Sequence, residues 1–114
     1  MPITELYAST QAVDTTEWSC VNDSSTIATE TTDGVCQVFL DVADMVAGDI
    51  LQIRIYEKVR SSDTQRIVYE AILRDAQTEP IWVSPALVLM HGWDVTLDAL
   101  AGTITVHWSI RQIA

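Results

Sequence analysis

Two histidines, two cysteines and sixteen carboxylates hold most of the chemistry that this chain of 114 residues can carry. His91 stands beside Gly92 and Trp93 at the head of an alternating run, LMHGWDVTL (89–97). A His-Gly pair before a strand can lend backbone N–H groups to an oxyanion, or it can be a turn with no chemistry. Acyl transfer on the hydrolase pattern needs a nucleophile on a sharp strand-to-helix turn, G-x-S-x-G. The chain has no such motif, and its four glycines cannot build one elsewhere. Ser, His and Asp side chains could still meet in space, but no spacing here points to a triad. His107 alternates with Val106 and Trp108, which aims it away from a core.

Among the carboxylates, a glycosidase would need two about 5–10 Å apart across a cleft. Glu57 and Glu70 are the pair that neighbouring strands could bring face to face. With Lys58, Arg60 and Arg66 around them, they read more simply as members of cross-strand charge pairs. No glycine loop is shaped for phosphate. DGVCQ and NDSST lack the alternating oxygen ligands of a calcium loop. Cys20, Cys36, His91 and His107 are too scattered for a metal site. The two cysteines read as small buried hydrophobes of a reducing compartment, and a disulfide would require neighbouring strands. No catalytic residue, metal or cofactor is therefore assigned.

That leaves binding. Trp108 belongs to a core by alternation, and Trp18 shares a face with Cys20. Trp82 and Trp93 read either as caps on the core or as anchors for a partner, because Trp and Tyr are favoured at interfaces. Tyr7, Trp82, His91 and Trp93 are the candidate contact residues. Trp82, Trp93 and Tyr69 would also be the stacking platform of a carbohydrate-binding module.

The elements that must position these residues are strands. ILQIRIYEKV (50–59) places Leu51, Ile53 and Ile55 on one face, with Gln52, Arg54, Tyr56 and Lys58 on the other. TITVHWSIRQI (103–113) places Ile104, Val106, Trp108 and Ile110 opposite Thr105, His107, Ser109 and Arg111. In WDVTLDAL, Val95 and Leu97 alternate with Asp94, Thr96 and Asp98; in VCQVFLDV, Cys36, Val38 and Leu40 alternate with Gln37, Phe39 and Asp41. Weaker strands fit residues 5–10, 17–21, 66–73 and 86–90. Pro80 and Pro85 bracket an edge strand or an extended crossing. DVADMVAGD (41–49) is the one stretch that reads as a helical turn, capped by Asp41, ended by Gly48, with Val42, Met45 and Val46 inward. SSD (61–63) and AGT (101–103) mark hairpins. The polar segment up to Asp33-Gly34 is a long loop that could reach a neighbouring subunit.

About eight one-sided strands must bury that side against a second sheet. The expected fold is all-β: a single antiparallel β-sandwich domain over residues 1–114, jelly-roll or Greek-key in connection. Residues 1–10 could form an arm that contacts a partner by adding a strand to its sheet. A chain of this length buries roughly 65% of its unfolded surface, enough for one core. The net charge of −10, with one lysine and five scattered arginines, opposes binding to nucleic acid or to an anionic membrane. No apolar run approaches the ~20 residues of a transmembrane helix. The start, MPITELYAST, lacks the basic and apolar regions of a secretory signal, so synthesis in a cytoplasm is expected.

RIYEKVR (54–60), WVSPALVLMHGWDVTL (82–97), the AGT turn and WSIRQI (108–113) together resemble small proteins encoded among the structural genes of tailed bacteriophages and prophages. ITELYAST and DGVCQVFLDV fit the same pattern, so the resemblance covers nearly the whole chain. It implies a non-enzymatic virion structural protein, most of all a head decoration or cement protein. Such a protein clamps neighbouring major capsid protein subunits on the outer capsid surface; a homo-dimer across a two-fold and a trimer over a three-fold are both compatible with this sequence. A neck or tail component is the alternative within the same neighbourhood. The resemblance brings no catalytic or ligand residues with it.

Overall fold

The computed structural model describes residues 2–113 and contains nine strands: β1 (Ile3–Val13), β2 (Trp18–Ser19), β3 (Gly34–Asp41), β4 (Ile50–Glu57), β5 (Arg66–Arg74), β6 (Ile81–Val83), β7 (Leu87–Leu89), β8 (Asp94–Ala101) and β9 (Ile104–Ile113). Their pairing is nested. β1 pairs β9, β2 pairs β8, β3 pairs both β6 and β7, and β4 pairs β5, all antiparallel. The chain thus runs as one long hairpin, rolled so that successive pairs fall alternately in one sheet and the other. The β3–β9 and β4–β8 ladders then knit each sheet together. One sheet has the order β1-β9-β3-β6, with β7 also on β3; the other has β2-β8-β4-β5. With β6 and β7 counted as one interrupted strand, this is the eight-stranded jelly roll.

The interruption, residues 84–86, falls at the second of the two prolines that bracket β6. Pro85 cannot donate to a ladder. Ser84 takes its place: Val38 N donates to Ser84 Oγ at 2.9 Å and Ser84 N donates to Val38 O at 2.9 Å. Ile81–Val83 therefore joins β3 as a ninth strand, where the alternation alone supports eight. Residues 1–10, read as an arm, are mostly the edge strand β1, whose ladder with β9 runs from Ile3↔Ile113 to Val13↔Ile104.

Alternation sets the core as expected. Leu51, Ile53, Ile55, Val95, Leu97, Ile104, Val106 and Ile110 are fully buried between the sheets. Each Leu or Ile contributes about 1.5–3 kcal/mol by leaving water. Cys20 and Cys36 are buried free thiols.

Three expectations fail for identifiable reasons. AGT (101–103) makes no hairpin: β8 pairs in the four-stranded sheet and β9 in the five-stranded one, so the turn carries the chain across the sandwich. Residues 42–49 form no helix. Met45 N donates to Val42 O at 3.0 Å and Asp49 N to Val46 O at 3.1 Å, which makes two successive turns. Val42 and Met45 are buried, but Val46 is exposed. Asp94, Thr96, Asp98 and Gln52, assigned to the outer face, are buried too. The Glu17 carboxylate crosses that face and accepts hydrogen bonds from Tyr56 Oη and Thr96 Oγ1, each at 2.6 Å. Arg54 lies 3.6 Å from Glu17 and 3.0 Å from Glu70. A polar layer therefore covers what would otherwise face water.

Candidate functional site

The His91-Gly92 corner is built by β4, β8 and the long loop between β2 and β3. The Glu57 carboxylate, at the end of β4, accepts hydrogen bonds from Met90 N at 2.6 Å and from His91 N at 3.0 Å. The backbone donors that an oxyanion would need at this corner are thus occupied by the protein's own anion. Glu70 meanwhile pairs with Arg54, so Glu57 and Glu70 do not face one another across a cleft. Gly92 has φ +117°, and a side chain there would meet the stem of Lys58. Gln65 Nε2 donates to the carbonyls of Ala28 and Gly92, each at 2.8 Å, and so ties the corner to the long loop. The His91 ring is half-buried at the rim and makes no hydrogen bond among the described residues. His107 is exposed, as its alternation indicates.

Trp93 is fully buried. Its indole N–H donates to Thr32 O at 2.9 Å, and its backbone exchanges two 2.9 Å hydrogen bonds with Glu30. Tyr7 meets its ring edge-on at 6.4 Å and 69°. The Tyr7 hydroxyl donates to Glu30. Burial, and then the Glu30 carboxylate, push the Tyr7 phenol up to about 12. Burial also pushes the Glu30 carboxyl upward, but the donors Tyr7, Thr31 and Thr32 outweigh it and hold the group below its ordinary value. Asp94 completes the network by accepting from Ser19 Oγ at 2.8 Å and Ala28 N at 2.9 Å. The loop expected to reach outward is therefore folded down onto the sandwich.

These contacts sort the four candidate residues. Trp93 is a core residue with no surface to offer a partner. Tyr7 is spent on Trp93 and Glu30. Trp82 is half-buried, pairs with Leu40 on the inner face of its sheet and lies 6.5 Å from Tyr69, closing one flank. His91 alone stays at the rim. The structure does not gather them into one surface, and the aromatic platform for a sugar loses Trp93 to the core.

The surface that alternation does not single out is the outer face of the five-stranded sheet. Ile3 and Ile113, Val35 and Val88, Phe39 and Val83, and Ile81 occupy its outward register positions. Val88 is 75% exposed, Ile3 68% and Ile81 53%. A hollow of about 180 Å³ opens among Ile3, Val35, Phe39, Ala86 and Ile113. Arg111 lies over the Phe39 ring at 3.9 Å and brings a cation to the face. The signal is present in the sequence as apolar residues on the wrong phase of β3 and β6. It is hidden because the inward phase already accounts for each strand. Among the described residues no group of three or more His, Cys, Asp or Glu side chains is arranged to hold a metal.

Fold and face together define the class: an all-β jelly-roll sandwich with one polar outer face and one on which exposed apolar side chains stand among polar ones. No protein-family model matches the chain, and no curated protein matches its sequence. Among solved structures it is similar to PirA, with a TM-score of 0.54 at 8% identity over 94% of each chain. It is also similar to a subunit from Bacillus endospore appendages, described as a novel family of disulfide-linked pili. There the TM-score is 0.50 at 12% identity, over 96% of this chain and 87% of that one. At such identities the likeness is one of fold, and neither description names a virion.

Proposed function

We propose that the chain is a non-enzymatic structural subunit that docks on a larger protein assembly through the outer face of the five-stranded sheet. The observation that carries this reading is the set of exposed apolar side chains on the face around Phe39, with Val88, Ile3 and Ile81 standing open to solvent. Apolar patches of this kind mark contact surfaces. The sequence resemblance supplies the particular assembly: the outer surface of a tailed-phage head, with the major capsid protein as partner. A net charge of −10 favours basic patches on a coat and opposes contact with the packaged genome.

The experiment is co-sedimentation of the purified chain with heads that lack it. The wild-type chain is expected to pellet with the particles, and the double variant Ile81→Asp/Val88→Asp to remain in solution with its fold intact. A wild-type chain left in the supernatant at micromolar concentration ends the proposal. Copy number per particle separates a shell position from a neck or tail position.

A further inference from the structure

Each sheet ends in a long strand with one open edge. β1 is hydrogen-bonded to β9 and β5 to β4; among the described residues neither has a second strand partner. The two edges lie on opposite flanks. β1 ends its sheet at the far side from β6, and β5 lies beside β6 through the Tyr69–Trp82 contact. Natural edge strands are usually blunted by lysine, proline or a bulge. Here each edge carries one bulge, between Glu5 and Tyr7 on β1 and opposite Ile55/Tyr56 on β5. Beyond the bulges, Tyr7–Val13 and Tyr69–Arg74 pair regularly, contain no proline or lysine, and present unpaired backbone donors and acceptors.

Charge distinguishes these edges. The arginines that look scattered in the sequence gather in the fold. Residues 50–74, the β4–β5 hairpin, hold five of the six basic residues against three acidic ones, a net +2. The rest of the chain holds thirteen acidic residues against one basic, a net −12. No Lys or Arg precedes Arg54. Glu5 lies on β1, Asp14 follows it, and Asp23 and Glu30 are held against it by Ser9 and Tyr7. Two β1 edges, or two β5 edges, would bring like charges together. A β1 edge and a β5 edge bring opposite ones.

We propose that copies of this chain associate head to tail, the β1 edge of one continuing the four-stranded sheet of the next at β5. The contact combines backbone pairing with the match between an acidic flank and Arg66 and Arg74, and the added strand would flank the exposed Ile67, Val68 and Ile72. Because its two halves are different surfaces, the contact generates a ring or an open chain and not a closed two-fold dimer. It stands whether or not the chain also docks on a virion shell.

Sedimentation velocity of the full chain across concentration, at about 0.15 M and about 1 M salt, is the test. At the lower salt the net repulsion is screened beyond ~8 Å while charges in contact still attract. Species larger than a dimer are expected there and should weaken as salt rises. The variant Arg66→Glu/Arg74→Glu should lose β5 and associate on the order of tenfold more weakly. The variant Thr4→Lys/Glu5→Lys/Thr10→Lys, at three exposed positions, should lose β1 in the same way. Mixed together, the two variants retain one good edge each and should form a heterodimer that grows no further. A wild-type chain that stays monomeric to about 0.1 mM at 0.15 M salt would falsify the contact. So would a dimer indifferent to the β5 reversals, or a mixture that stays monomeric. Circular dichroism confirms that each variant is folded, and the salt response of the unmodified chain needs no variant.

Discussion

The carboxylate of Asp94 accepts hydrogen bonds from the Ser19 hydroxyl and from the backbone N–H groups of Ala28 and Val95, and it is fully buried while doing so. Asn in its place has one acceptor oxygen and turns an N–H₂ group toward existing donors. Asp94→Asn is expected to cost about 1–3 kcal/mol in urea unfolding at neutral pH. The same residue gives a pH signature. Burial pushes its carboxyl up from 3.8 to about 6, against the lowering by its donors. The native state thus holds this proton more tightly than the unfolded state. The stability it contributes is complete below the unfolded value and is lost as pH rises through that window. Subtracting the unfolding free energies of Asp94→Asn from those of the wild type between pH 4 and 7 should reveal this falling contribution; a difference that is flat with pH contradicts it. Nothing in the alternation of WDVTLDAL could have shown this site. The period of two says that Asp94 and Val95 face opposite ways, but not that Ala28, sixty-six residues away, will close over one of them.

Among the elements, the long alternating strands were legible because the core alone dictates one face of each. The 41–49 segment was not. Val42 and Met45 have the spacing of a helical turn, and the same spacing satisfies a tight turn whose hydrogen bond spans three residues. Asp49 decides between them: its carboxylate accepts from Val46 N at 3.0 Å, and Gly48 N is drawn to Asp75 at 2.8 Å. Those partners lie too far along the chain, or too close, for periodicity to register. The candidate contact residues were obscured for a related cause. An aromatic residue beside a turn looks available, and only the folded loop shows Trp93 under Glu30 and Thr32. AGT, in contrast, plainly marked a turn but not what it joins: it carries the chain from β8 in one sheet to β9 in the other. Gly102 has φ +81°, and a Cβ there would collide with the Asp49 carboxylate. Gly102→Ala is expected to destabilise the protein by about 1–3 kcal/mol, read from the urea midpoint. A midpoint equal to the wild type would show that the turn relaxes freely.

At the scale of the molecule, the nested pairing means that local contacts are few. β1 can meet β9 only after nearly the whole chain has been gathered in between, so closure entropy comes before most of the hydrogen bonds that reward it. Refolding followed by the fluorescence of buried Trp93 and Trp108 is expected on the millisecond-to-second scale of β-sandwiches, and a sub-millisecond phase carrying the full amplitude would contradict the nested order.

The β1–β9 ladder places Ile3 opposite Ile113, side by side at one end of a single antiparallel pair. Tension applied to those two residues in opposite directions would run along the inter-strand hydrogen bonds, which lie across the strands. The bonds would then break in succession, like a zipper, instead of sharing the load in shear. The sandwich is mechanically weak when stretched from those two positions. A load transmitted sideways, from one β1 edge into the next β5, would also pull across the strands, but it would be shared by all the bonds of each ladder at once.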